Sequence, residues 1–316
     1  MIESIIGEIR ANRSFLVTTH ESPDGDAVGS SLALAVYLKR LGKDVTIHFN
    51  DPVPELYAFL PLADTVVQNL PDRDYDVCFV LDVGEFRRAG RQVTECTRVG
   101  SFINVDHHLT RDNFGSINYI DPSAAATGVL VYRIIKATGD LIDYEIALPL
   151  YTAIITDTGS FRYSNANPEA FAISSELVAT GISTWSIAEK LYESQPRQRL
   201  ELLALALSTL TISERGDFAS ITVTLDMYRR TGACAELTDG FVNYPRSIRG
   251  VEVSVFFREV NAGLFKVGFR SKGTVDVSSL AATFGGGGHH NAAGCTVEGT
   301  INDVRQRVFA HLEQAL

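Results

Sequence analysis

Three apolar runs early in the chain each lead to an ionisable residue. Phe15-Leu16-Val17 leads through Thr18-Thr19 to His20, Val77-Cys78-Phe79-Val80-Leu81 leads to Asp82, and Phe102-Ile103-Asn104-Val105 leads to Asp106. Runs that are apolar throughout, rather than at alternate positions, suit strands covered on both faces, and such strands belong to parallel sheets with helical crossovers. Helical spacing fills the intervals: Ile2 to Ile9, Ala27 to Leu41 closed by Gly42, Ala124 to Lys136, and Tyr144 to Ile155, with a further strand at Val45 to Phe49. The expectation is an α/β fold. In parallel sheets, ligands bind beyond the carboxyl ends of the strands, and His20, Asp82 and Asp106 all fall on that edge.

Further along, helices are expected from Pro168 to Thr180, from Ser183 to Tyr192 and from Pro196 to about Ser208. Strand patterns then return at Ala219 to Leu225, Val251 to Phe257 and Phe265 to Phe269, with helices near Val277 to Phe284 and Asp303 to Leu312. A chain of 316 residues with 45% hydrophobic content can build two cores. The expected division is a larger N-terminal parallel-sheet domain over 1–193, a helical linker over 194–208, and a smaller C-terminal α/β domain with its own sheet over 209–316.

Charge is uneven. Residues 1–208 hold 17 Lys and Arg against 27 Asp and Glu, whereas 209–316 hold 11 of each. An acidic surface repels phosphate backbones, so long duplex DNA is not an expected partner. The four cysteines, Cys78, Cys96, Cys234 and Cys295, lie far apart and form no CxxC pair, which argues against a zinc ribbon or a disulfide framework. No apolar stretch reaches the roughly 18 residues of a membrane span, and no basic segment with an apolar core opens the chain. A cytoplasmic protein without membrane contact is expected.

The candidate chemistry lies in His20, Asp24, Asp26, Asp82, Asp106, His107, His108 and Asp157. Taken singly, several have plain structural uses. Pro23-Asp24-Gly25-Asp26 makes a good turn and helix cap, His20 can cap a backbone group, Asp82 can end a strand, and Asp157 can cap the turn before Gly159. Asp106-His107-His108 is harder to explain that way, because crowding a carboxylate and two imidazoles at a buried strand end carries desolvation and repulsion costs. Imidazole and carboxylate without thiolate suit Mn²⁺, Mg²⁺ or a similar ion. So many groups exceed the needs of one ion, and two ions sharing a carboxylate can activate water for attack on phosphorus.

These residues also carry a resemblance. His20-Glu21-Ser22-Pro23-Asp24-Gly25-Asp26, Asp82, Asp106-His107-His108 and Asp157 together resemble the successive motifs of the DHH phosphoesterase superfamily. The segment from Gly285 to Gly294, Gly-Gly-Gly-Gly-His-His-Asn-Ala-Ala-Gly, with Arg270-Ser271-Lys272 ahead of it, is similar to the signature of the DHH-associated C-terminal domain. The subgroup it most resembles is the short, two-domain nanoRNase and pAp-phosphatase type. Arg111 and Val129 depart from the pattern, standing where many relatives have Asn and Glu.

The resemblance implies one divalent ion held by His20, Asp24 and Asp82 and a second held by Asp26, Asp82, His107 and Asp157, with Mn²⁺ foremost and Mg²⁺ or Co²⁺ as alternatives. It implies that Asp106 orients His107, and that His108 faces the scissile phosphate as a hydrogen-bond donor or proton relay. Arg270, Ser271, Lys272, Gly286, Gly287, Gly288 and His289 would bind substrate, the glycines by letting backbone approach a phosphate. The implied substrates are short single-stranded oligonucleotides, cut to mononucleotides, and small nucleotides such as adenosine 3′,5′-bisphosphate, which would lose its 3′-phosphate. Other readings are a cyclic- or linear-dinucleotide phosphodiesterase, a family II inorganic pyrophosphatase, and a catalytically silent nucleotide-binding regulator. The glycine-rich His motif argues against the pyrophosphatase, and the full set of ligand types argues against the regulator. A homodimer is compatible with each.

Overall fold

The apolar runs form strands that end at or just before their ionisable residues. A computed structural model describes residues 1–109 and 112–316; Arg111 lies outside the described residues, as does the side chain of His289. The chain divides into two units, Met1–Glu193 and Ser194–Leu316.

In the first unit the principal elements are α1 (Ile2–Ala11), β1 (Ser14–Thr18), α2 (Gly25–Arg40), β2 (Asp44–Ile47), β3 (Tyr75–Leu81), α3 (Arg91–Thr94), β4 (Val99–Asp106), β5 (Ile117–Ile120), α4 (Thr127–Ala137), α5 (Tyr144–Asp157), α6 (Pro168–Ala179) and α7 (Thr184–Ala188). The strands form one parallel sheet in the order β2-β1-β3-β4-β5. Register pairs Thr18 with Val80 and Leu81 with Val105. The carboxyl ends of β1, β3 and β4 therefore come level, and His20, Asp82 and Asp106 gather at one edge.

Helix α2 begins at this edge and is buried on all sides from Gly25 to Leu38. A helix enclosed all round needs no amphipathic stripe, which explains its run of Ala, Val and Leu. It packs against α5 closely enough that a Cβ on Gly29 would stand 2.5 Å from the Pro149 carbonyl oxygen and 2.9 Å from the Ala153 nitrogen. Gly128, at the start of α4, meets Ala153 in the same way. Small residues thus let three helices that carry site residues approach one another. Helix α4 starts at Thr127 rather than at Ala124, because Ala126 is still extended. Strand β5, four residues long and partly polar, carries no apolar run that would announce it.

The second unit contains α8 (Arg197–Leu207), β6 (Thr211–Ile212), β7 (Phe218–Val223), α9 (Leu225–Thr231), α10 (Asn243–Arg246), β8 (Val253–Asn261), β9 (Leu264–Ser271), α11 (Val277–Ala282), β10 (Gly287–His289), β11 (Ala292–Glu298) and α12 (Ile301–Ala315). Its sheet runs β10-β11-β9-β8-β7-β6 and is antiparallel except at β7–β8. Val253, Val255, Phe257, Val267 and Phe269 pack with Val304, Val308 and Leu312 of α12. Strands β10 and β11 escape sequence reading because Gly, Ala and His are poor strand signals. Their glycines have a steric cause: a Cβ on Gly288 would lie 2.5 Å from the Ala292 carbonyl oxygen, and one on Gly286 would overlap that of Gly294. Among the described residues, no helix is long and apolar enough to cross a membrane.

The α2–α5 contact gives a stability test. Gly29→Ala is expected to cost about 1–3 kcal/mol through forced separation of the helices. Gly7→Ala, in α1 where an added Cβ would meet nothing within 4 Å, is expected to be neutral or to add up to about 1 kcal/mol. Denaturant titration of the two variants checks the contrast.

Candidate metal centre

Asp82 stands at the middle of the edge, immediately after β3. Its amide bonds to the Val105 carbonyl at 3.0 Å, and its φ of 59° lies in the left-handed region that a non-glycine residue seldom adopts. This turn carries the side chain, only 2% exposed, into a space shared by the imidazoles of His20, His107 and His108. Oδ2 lies 3.8 Å from His20 Nε2, and Oδ1 lies 3.6 Å from His107 Nε2. Thr127 fixes the rotation by donating its hydroxyl to Oδ1 at 2.9 Å.

Each imidazole is held by its other nitrogen. His20 Nδ1 donates to the Glu21 carbonyl at 2.8 Å, and His107 Nδ1 donates to the Ala124 carbonyl at 3.2 Å. A carbonyl can only accept, so in both rings Nδ1 carries a proton and Nε2 is the atom left to face the site. Both Nε2 atoms face oxygens. His20 Nε2 is 3.9 Å from Asp24 Oδ1, and His107 Nε2 is 3.7 Å from both Asp26 Oδ2 and Asp157 Oδ2. Such separations exceed hydrogen-bond length. Imidazole nitrogens converging on carboxylates at this spacing leave room for a cation between them, and the all-nitrogen-and-oxygen donor set fits a divalent ion of hard-to-borderline character. His20, Asp24 and Asp82 offer one set of atoms within 4.8 Å of one another, and Asp26, His107 and Asp157 offer a second.

The acids are placed by the starts and ends of helices. Asp24 caps α2, accepting from the amides of Asp26 and Ala27, so the expected cap geometry coexists with its approach to His20. Asp26, wholly buried, accepts from the first amides of α4: Thr127 at 2.6 Å and Gly128 at 2.9 Å. A helix N-terminus is suited to this, having unsatisfied N–H groups and a favourable dipole. Burial, and then the charges of Asp82, Asp157 and Asp24, nevertheless push the Asp26 carboxyl well above its ordinary range. Asp157, the last residue of α5, is pushed up to about 7, by burial first, with Asp24 and Asp82 adding to it against the opposing charges of His107 and His108. Burial would also raise Asp82, but the hydrogen bond and charge of His108, with the charges of His107 and His20, hold it below the usual carboxylate range.

The structure corrects one expected role. Asp106 does not orient His107; it holds His108. Its Oδ1 accepts from the His108 amide at 2.8 Å and from His108 Nδ1 at 2.7 Å, while Oδ2 accepts from the Gly84 amide at 2.6 Å. Burial disfavours the His108 cation, but bonding to Asp106 and Asp82 outweighs it and lifts the imidazole up to about 11. Residues i and i+1 leaving a strand point in different directions, and the neighbouring rings of His107 and His108 stand nearly perpendicular, at 73°.

Sequence reasoning missed Thr127, Gly128, Ala124 and Asn165. Thr127 and Gly128 open a helix whose first amides need acceptors, a signal that was available; Ala124 contributes only its backbone. Asn165 Nδ2 bonds Asp157 Oδ2 at 3.0 Å, the Asp157 carbonyl at 3.1 Å and the Ala125 carbonyl at 2.9 Å, thereby joining Asp157 to the segment that orients His107. No local pattern marks such a residue.

In the second unit, β9–β11 pairing brings Arg270 opposite Ala292, and Ser271 bonds Asn291 through both its hydroxyl and its amide. Arg270 Nη1 donates to the Phe269 carbonyl, and Lys272 Nζ donates to the Ile248 carbonyl. Gly287 and Gly288 lie on β10, next to β11 at the edge of the same sheet, and Gly286 immediately precedes that strand.

Asn165→Ala should lower divalent-metal affinity about 10- to 100-fold while leaving the circular dichroism spectrum and melting temperature near wild type, since it frees a supporting contact rather than core packing. Titration calorimetry of the metal-stripped protein measures this.

Residues 14–154 match the DHH family N-terminal domain, and residues 223–316 match the DHHA1 domain. A bifunctional oligoribonuclease and PAP phosphatase, NrnA, of Thermus thermophilus is 36% identical over 304 residues, covering 95% of this chain and 89% of its own. The Bacillus subtilis protein of the same name is 27% identical, covering 99% of this chain and 98% of its own. The crystal structure of an exopolyphosphatase-related protein from Bacteroides fragilis superposes with a TM-score of 0.91 at 31% identity, over 99% of this chain and 94% of that one.

Proposed function

This chain belongs to the DHH family, and on that premise we propose that it is a metal-dependent phosphoesterase that hydrolyses short oligonucleotides to mononucleotides and removes the 3′-phosphate of adenosine 3′,5′-bisphosphate. One observation carries the chemistry: the two oxygens of the Asp82 carboxylate face different imidazole and carboxylate sets. Whole-length similarity to oligoribonuclease and PAP phosphatase relatives supports the substrate class.

In this reading His20, Asp24 and Asp82 hold one divalent ion, and Asp26, Asp82, His107 and Asp157 hold the other, with Mn²⁺ the expected metal. Ions bound there neutralise phosphate charge and lower the pKa of the attacking water. The protein supplies position. Asp82 is fixed by its strained turn and by Thr127, and Asp26 is fixed by the start of α4, so the ligands need little rearrangement. His108, tethered at Nδ1 by Asp106, turns Nε2–H toward a phosphate oxygen and steadies the charge that develops during in-line displacement. In the second unit Arg270, Ser271, Lys272, Gly286, Gly287, Gly288 and His289 bind the substrate through its phosphate and nucleotide groups. Long duplex DNA is a poor substrate in this reading, because the acidic excess lies in residues 1–208.

A time course in Mn²⁺ tests the reading, using labelled oligonucleotides from two to about seven residues beside adenosine 3′,5′-bisphosphate and a cyclic dinucleotide. The shortest chains should be consumed to mononucleotides, the bisphosphate should release phosphate, and chelation should stop both reactions. Turnover confined to the cyclic substrate would replace this reading with that of a cyclic-dinucleotide phosphodiesterase.

Two variants test the division of labour. Asp82→Ala should reduce turnover to background on every substrate and lower bound metal at both positions, measured by elemental analysis after desalting. Asp106→Asn should keep the metal content and lower kcat about 10- to 100-fold, because it removes the carboxylate charge beside the His108 ring and the acceptor for the Gly84 amide without touching a proposed ligand.

A further inference from the structure

Arg88 stands in the one-turn helix Phe86–Ala89, close behind Asp82, and its guanidinium has found no carboxylate among the described residues. Arg40, Arg73 and Arg133 are each paired with acids, whereas Arg199 and Arg305 of the second unit are held by backbone carbonyls or a hydroxyl. Half-buried Arg88, beside the most acidic cluster of the chain, forms no ion pair among the described residues, and its one side-chain hydrogen bond there runs from Nη1 to the Val83 carbonyl at 3.1 Å. A guanidinium has five N–H donors in a planar fork, so most of them are left for another partner.

Its position is fixed at both ends. The Arg88 carbonyl accepts from the Glu21 amide at 2.7 Å, which ties it to the loop carrying His20, and Nη1 is tied to the turn that follows Asp82. That turn also places it beside His108. A Cβ on Gly84 would lie 3.7 Å from Arg88 Nη1 and 3.7 Å from both Cγ and Cδ2 of His108, so the guanidinium and the imidazole flank one point of backbone.

We propose that Arg88 is a substrate-binding residue that grips a phosphate oxygen of the nucleotide on the His108 side of the centre. The assignment rests on the phosphoesterase reading given above. The fork of Arg88 matches the oxygens of a phosphate, and holding it by two backbone contacts reduces the ordering needed when substrate arrives. It supplies positive charge to an anionic substrate entering a site built mainly of carboxylates.

The test compares wild type with Arg88→Ala, Arg88→Gln and Arg88→Lys, all loaded with Mn²⁺. The measurements are kcat and KM for a dinucleotide, the Kd of inorganic phosphate by calorimetry, Mn²⁺ content and melting temperature. Arg88→Ala and Arg88→Gln should each raise KM and the phosphate Kd about 10- to 100-fold, as expected for loss of a charge-assisted hydrogen bond. Metal content and melting temperature should stay at wild-type values, and Arg88→Lys should recover part of the binding. Unchanged phosphate affinity in Arg88→Ala would overturn the assignment. So would full recovery by Arg88→Gln, or loss of Mn²⁺ in step with loss of phosphate binding, since both outcomes would mean that Arg88 serves only to shape the Asp82 turn. If wild type cleaves no dinucleotide at all, the phosphoesterase reading fails instead, and the phosphate Kd values alone decide the role of Arg88.

Discussion

Concentrated negative charge at the carboxyl edge of a parallel sheet is the constraint from which most of this structure follows. Asp24, Asp26, Asp82, Asp106 and Asp157 converge there, several of them buried, where an unpaired carboxylate is costly. The protein offsets each charge differently. Asp26 receives the first amides of α4, Asp106 receives His108 and the Gly84 amide, and Asp82 receives the Thr127 hydroxyl and His108. What the protein leaves unanswered is equally definite. The Nε2 atoms of His20 and His107 stand 3.6–3.9 Å from carboxylate oxygens, beyond hydrogen-bond length, and a divalent cation answers that arrangement.

The packing serves the same end. Residues that must converge to within a few ångströms come from three strand ends, two helix starts and one helix end, so the elements carrying them need fixed relative positions. Parallel register aligns the strand ends. Glycine at positions 29 and 128 lets α2, α4 and α5 approach until backbone touches backbone or methyl. Enclosing α2 on every side gives up the solvent-facing surface an ordinary helix keeps, and in return the loop from His20 to Asp26 is anchored to the most deeply packed element of the unit. A site mounted on such elements is better defined than one mounted on loops.

How much was legible follows from these mechanisms. The sheet of the first unit was readable because its strands are covered on both faces, so Val77–Leu81 and Phe102–Val105 are nearly continuous apolar runs. The ionisable residues at their ends were readable because acids and imidazoles have no place inside such runs. Strand β5 and the β10–β11 hairpin were not readable. Ile117–Ile120 is an edge strand with polar positions, and the hairpin is specified by what glycine lacks, which a pattern of apolar residues does not record. Asn165 and Ala124 act on the centre through contacts made by the fold, the first over sequence separations of 8 and 40 and the second through a carbonyl that every residue possesses.

Asp106-His107-His108 shows where inference from adjacency misleads. A carboxylate next to an imidazole in sequence invites the view that one orients the other, yet side chains leaving a strand diverge at each step. Asp106 therefore reaches over His107 to His108 and folds back on the backbone at Gly84. The consequence is chemical. His107, tethered by a neutral carbonyl, turns Nε2 toward Asp26, Asp82 and Asp157 and is suited to a metal. His108, tethered by a buried carboxylate, is held as a cation and is suited to an anionic oxygen. Two neighbouring residues of one type thus acquire different surroundings, and the difference is set by the acceptor at Nδ1, an alanine carbonyl for one ring and an aspartate for the other.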